Sequence, residues 1–124
     1  MPTNTHEQLL DTLVEKVRVQ DSQTAASTAV FLAQQPKITR DEARFLAHCD
    51  PAAGRIDWAS ILEHRGWSLT EAIMLKVAAW LDDADVSYDP ATLDRLDEHQ
   101  SAVLDAMRLA HNTSTVPADL IDFR

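Results

Sequence analysis

Trp67-Ser68-Leu69-Thr70-Glu71-Ala72-Ile73-Met74-Leu75-Lys76-Val77-Ala78-Ala79-Trp80-Leu81-Asp82 decides the fold of this chain. Ser68 followed three residues later by Glu71 is a capping box, in which each side chain accepts a hydrogen bond from the other residue's backbone N–H. Trp67 and Ala72 flank it at the spacing of a hydrophobic staple. From Leu69 to Leu81 only Thr70, Glu71 and Lys76 are polar. A helix apolar nearly all round belongs in the middle of a core or in an interface. It is too short to span a bilayer. The stretch therefore predicts the central helix, the fifth in order, of an all-α bundle.

The remaining sequence supplies helices to pack around it. Thr5 with Gln8 is a second capping box, opening helix one (His6 to Gln20) with an apolar stripe of Leu9, Leu10, Leu13, Val14 and Val17. Asp21 or Ser22 caps helix two, whose stripe is Ala26, Ala29, Val30 and Ala33, widened by Phe31 and Leu32, and which Pro36 stops. Thr39 with Glu42 predicts helix three from Arg40 to Cys49, with Ile38 and Ala43 as its staple. Asp50 to Gly54 reads as a loop. Asp57 caps a short helix four, with Trp58, Ile61 and Leu62 facing inward and Gly66 as its stop. Asp89-Pro90 opens helix six, which runs to about His111 with Leu93, Leu96, Val103, Leu104 and Met107 on one face. No strand-like alternation of useful length occurs. Residues 1–124 read as a single compact bundle of five to six helices, with 112–124 a partly ordered tail in which Val116, Leu120, Ile121 and Phe123 are apolar.

Composition agrees. At 124 residues with two glycines, 45% apolar and 25% charged residues, the chain has the size and content of one globular domain. Its lone cysteine, Cys49, excludes an intramolecular disulfide, and no basic start precedes an apolar run at the N-terminus. Both fit a cytoplasmic protein. Arginine outnumbers lysine eight to three, as in GC-rich bacterial genomes. The net charge of −9 is lopsided: residues 1–62 hold eight acids against six bases, residues 63–124 twelve against five. Such a surface disfavours nucleic acid and anionic membranes.

Several residue groups invite a chemical reading. Arg55-Ile56-Asp57 and Ser87-Tyr88-Asp89 each place an apolar residue and an aspartate before a helix start, which resembles the layout of a paired EF-hand. Calcium loops need oxygen ligands at positions 1, 3, 5 and 12, with glycine at 6. Gly54 at position 6 puts Cys49, Pro51, Ala53 and Ser60 there, and the second loop begins at Leu81 and ends at Thr92. The resemblance thus implies at most a helix-loop-helix pair without calcium. Residues 57–81 have helix-turn-helix lengths, but helix five offers only Lys76 for bases or phosphates. Asp82, Asp83, Asp85, Asp89, Asp94, Asp97 and Glu98, opposed only by Arg95, form an acidic segment fit to dock a basic partner. His48 and Cys49 point about 100° apart on a helix and cannot act as base and nucleophile, and His64 lies elsewhere. Gln100 is the polar residue within the stripe of helix six, placed to bond a neighbouring helix or to line a pocket. No phosphate-binding glycine loop, nucleophile elbow, Cys-x-x-Cys or His-Glu-x-x-His occurs.

These readings predict no catalytic residue, cofactor or metal. They point to a non-enzymatic protein-protein interaction or regulatory module, binding a protein partner or itself. Trp58, Trp67 and Trp80 are its candidate interface aromatics beside the acidic segment. The alternatives are a helix-turn-helix nucleic-acid-associated regulator and the metal-free EF-hand-like pair.

Overall fold

The computed structural model describes residues 5–117. It is mostly helical, and its apolar residues from the N-terminal, middle and C-terminal helices form one contiguous core. Helix α1 (Thr5–Gln20) buries Leu9, Leu10 and Leu13, with Val14 and Val17 packed at the core edge. Thr5 already lies in the first helical turn, so the Thr5–Gln8 box is not the cap. Asp21 takes a left-handed conformation (φ 51°) and reverses the chain, and Ser22 caps α2 (Gln23–Gln34) by accepting the Ala25 N–H at 3.1 Å.

Every residue of α2 from Ala25 to Leu32 is buried. Alanine, serine and threonine make this possible, because small side chains let α1 pack along one flank and α6 along another. The Ser27 and Thr28 hydroxyls donate back to the Thr24 carbonyl, at 3.1 and 2.8 Å, so neither is left unpaired. Helix α5 (Leu69–Leu81) packs on α2, α4 and α6 and buries seven side chains, from Ile73 to Leu81. It shares the centre with α2, the more completely enclosed of the two. The Ser68–Glu71 capping box of α5 is formed, with both bonds present (Glu71 N–H to Ser68 Oγ 3.2 Å, Ser68 N–H to Glu71 Oε1 2.8 Å).

Three local expectations are corrected. No helix runs from Arg40 to Cys49. Instead Pro36 starts a single turn, α3 (Pro36–Thr39), and turns lead to a 3-10 segment at Leu46–His48. Thr39 cannot cap a helix beginning at Arg40, because its hydroxyl faces inward and donates to the Leu32 and Gln35 carbonyls. Asp41 holds the turn instead, accepting from the backbone and the guanidinium of Arg44, each at 2.8 Å. Second, the expected loop is a small antiparallel hairpin. Strands β1 (Cys49–Asp50) and β2 (Arg55–Ile56) pair Cys49 with Ile56 and Asp50 with Arg55, and Gly54 closes the turn at φ +68°. Two residues per strand are too few for a period-two pattern to show in a sequence.

Third, helix six is broken. Asp89 and Pro90 start a 3-10 segment, Pro90–Arg95; Leu96 is extended, and Asp97 caps a new helix, α6 (Glu98–Thr113). Asp97 and Gln100 form a reciprocal capping box, so Gln100 serves the start of its own helix. Helix α6 ends at Ser114 in the left-handed conformation, and Val116 packs against the core. Leu120, Ile121 and Phe123 lie outside the described residues.

Helix α4 (Trp58–Glu63), capped by Asp57 as expected, lies under an aromatic cluster. Phe31, Phe45 and Trp58 meet with ring centroids 5.9–6.3 Å apart in tilted and edge-on arrangements. Such pairs add about 0.5–1.5 kcal/mol each beyond area burial. The cluster ties α2 and α4 to the segment between α3 and the hairpin.

Candidate functional site

The acidic segment begins where α5 ends, and its first residue turns inward. Asp82 caps α5 through its backbone N–H, and its Oδ2 accepts the Trp58 Nε1–H at 2.7 Å. The Thr28 hydroxyl also lies against this carboxylate. Burial pushes the Asp82 carboxyl above its ordinary value, and these two donors oppose the shift. Asp83, at φ 62°, then reverses the chain. The segment runs back beside α5, with the Ala84 N–H on the Ala79 carbonyl and Val86 half-buried. This return lays the ring of Tyr88 edge-on against that of Trp80, centroids 5.7 Å apart and planes at 82°.

The other acids divide by role. Asp89 accepts the Ala91 N–H and Asp97 the Gln100 N–H, so both are caps, and both remain exposed. Asp83, Asp85, Asp94 and Glu98 are exposed and join no ion pair among the described residues. The three tryptophans also divide. Trp58 belongs to the core at 3% exposure. Trp67 is half-buried: its Nε1–H donates to the Ile61 carbonyl at 2.9 Å, and the Arg44 guanidinium covers its ring at 4.1 Å. Trp80 stands 52% exposed. Tyr88, absent from the candidate interface aromatics of the sequence, is the second aromatic of this surface. A tyrosine set among aspartates in a segment too acidic for the core was the signal for it.

The result is an exposed indole, buttressed by Tyr88, in a segment that also carries the exposed Asp83, Asp85 and Asp89. Leu69 and Lys76 lie on the same exposed side of α5, Leu69 at 56% exposure. Helices α4 and α5 do follow one another across a short turn, but this outward side of α5 carries one cation and two large apolar residues. That is not the equipment of a phosphate-contacting recognition helix. The EF-hand-like pairing is not made either. Ile56 pairs with Cys49 inside its own hairpin, while Tyr88 packs on Trp80. Among the described residues, no three His, Cys, Asp or Glu side chains are grouped to hold a metal ion.

The histidines and the cysteine were not brought together as a catalytic pair. The Cys49 thiol donates to the Phe45 carbonyl at 3.3 Å, and burial pushes it up to about 12, so it stays protonated. His48 instead meets His64, Nε2 to Nε2 at 2.8 Å. His6 is buried, with Nε2 on the Leu32 carbonyl (3.1 Å) and on Thr39 Oγ1 (3.0 Å). Burial, and the Arg40 charge after it, hold His6 below the ordinary histidine value. Gln100 borders an open groove of about 380 Å³ between the end of α2 and the start of α6, together with Gln35, Lys37, Asp97 and His99. Compared with known proteins, the chain matches no protein family, no curated protein and no solved structure.

Proposed function

We propose that this protein is a non-enzymatic interaction module that docks a basic segment of another protein on the Trp80–Tyr88 face. The observation that carries the reading is the exposure of Trp80 against Tyr88, in a segment whose exposed carboxylates join no ion pair among the described residues. An exposed indole fixed edge-on by a neighbouring ring has little conformational freedom left to lose on binding. It offers its face to a guanidinium, worth about 0.5–2 kcal/mol as a cation–π contact. Asp83 and Asp85 add charge attraction, which raises association rates more than it raises affinity.

Titration with an arginine- and leucine-rich peptide, followed by tryptophan fluorescence at low and at moderate salt, tests this. Saturable, salt-weakened binding is expected, with Trp80→Ala losing at least tenfold in affinity and Asp83→Asn with Asp85→Asn slowing association. Equal binding by Trp80→Ala and the parent overturns the reading. So does light scattering that finds a parent dimer reduced to monomers by Trp80→Ala, since the face would then belong to a second copy.

A further inference from the structure

His48 and His64 are sixteen residues apart, and the hairpin and α4 bring their rings together. Both backbones are anchored. The His48 carbonyl accepts the Asp57 N–H at 2.9 Å, and the His64 N–H closes α4 on the Ile61 carbonyl at 3.3 Å. Asp57, in turn, caps α4 through Ser60. The two histidines are thus joined through a single six-residue helix, and neither ring has to search for the other. With Nε2 facing Nε2 at 2.8 Å, one hydrogen lies between two nitrogens, the arrangement a metal ion replaces when two imidazoles become ligands.

We propose that His48 and His64 form a two-imidazole site for a borderline divalent cation such as Zn²⁺. This inference is independent of the Trp80 face. With Zn–N bonds of about 2.0–2.1 Å and a tetrahedral angle, the two nitrogens stand about 3.3 Å apart and the ring centroids about 5.2 Å apart. The centroids here are 5.0 Å apart. The rings already occupy the required positions, and a tilt that opens the nitrogens by about 0.5 Å points both lone pairs at one ion. Imidazole nitrogens select Zn²⁺, Cu²⁺ or Ni²⁺ over Ca²⁺ or Mg²⁺. Beside His48 lies an open groove of about 490 Å³, also bordered by Asp50, Arg55 and Asp57, so its side of the pair is accessible to solvent. The half-buried Cys49 thiol donates to the Phe45 carbonyl at 3.3 Å and is not part of the site.

Calorimetry and thermal melts with Zn²⁺ alone, and with Ca²⁺ alone, test the site on the full chain. One equivalent of Zn²⁺ is expected to bind, and at a hundredfold excess over Kd to raise Tm by about 10 °C for a chain of this size. Ca²⁺ should give neither response. His48→Gln and His64→Gln should each weaken Zn²⁺ at least tenfold, while Cys49→Ser binds as the parent does. Absence of Zn²⁺ heat in the parent, or undiminished binding in the double variant, overturns the proposal. Should the variants misfold, histidine nitrogen NMR of the parent still decides. Shifts at the Nε2 of His48 and His64 support it, and shifts confined to His6, His99 or His111 overturn it.

Discussion

Replacing Asp82 tests whether the first acid of the acidic segment belongs to the core. Its Oδ2 takes the indole N–H of Trp58, a residue only 3% exposed, so Asp82→Ala leaves that N–H without a partner. An orphaned buried donor costs about 1–3 kcal/mol, and a hydrogen bond to a charged group is worth about 1.5–3 kcal/mol. Relief of the buried carboxylate's desolvation offsets part of the loss, and Thr28 still has the Thr24 carbonyl at 2.8 Å. The net expectation is about 2 kcal/mol. Unfolding entropy of about 2.1 cal/mol/K per residue converts this, for 124 residues, to a Tm drop of about 8 °C. Asp82→Asn keeps an acceptor and removes the charge, so it should stay within about 1 kcal/mol of the parent at pH 7. Because the folded carboxyl lies above its ordinary value, the ionised form destabilises the fold at neutral pH. That penalty fades as pH falls toward 3.8, and the standing of Asp82→Asn relative to the parent should decline with it. Urea unfolding monitored by circular dichroism gives these numbers, and a cycle with Trp58→Phe isolates the pair. If Asp82→Ala unfolds within 0.5 kcal/mol of the parent, at about the limit for a neutral surface change, the reasoning fails. It fails equally if the cost is the same in the Trp58→Phe background.

Two further outcomes follow from single residues. His6, held neutral by burial, contributes stability that is present above pH 6.5 and lost as pH falls through its depressed folded value. Parent melts should therefore drop on acidification below pH 6.5 more steeply than those of His6→Gln, and parallel pH profiles would refute this. Gly54→Ala forces a side chain into the left-handed region and sets Cβ 3.1 Å from Lys16 Nζ and Thr12 Cγ2. A loss of about 1–2 kcal/mol in chemical denaturation is expected, and an unchanged midpoint would refute the turn geometry.

The helical class was legible because it rests on local signals that survive packing. Ser68–Glu71, Asp57 and Ser22 cap where their side chains reach the next N–H groups, and those bonds are formed within four residues. The failures came where a tertiary partner outbid the local one. Thr39 has the letters of a cap, yet its hydroxyl goes to Leu32 and Gln35, as only the burial of Ile38 and Thr39 explains. Asp89-Pro90 starts a six-residue 3-10 segment rather than the α-helix, and the Asp97–Gln100 box is hidden within an apparently continuous stripe. At the acidic face, the charge pattern was readable but the side-chain directions were not. Asp82 and Asp83 are neighbours in sequence, and only the backbone reversal at Asp83 sends one into the core and the other into water. Likewise nothing in the spacing of His48 and His64 announces their contact, which depends on a hairpin of two residues per strand.

Helix α2 has no solvent side over the two turns from Ala25 to Leu32, and this constrains the order in which the chain can assemble. Helix α1 is joined to it by two residues and closes on it at small entropic cost. Helix α6, which covers another flank, lies beyond the intervening residues 35–97. During synthesis, that flank of α2 stays bare until residues 98–113 have emerged. Until then the ribosome holds an α1–α2 hairpin with an unshielded apolar flank, the kind of surface that chaperones bind.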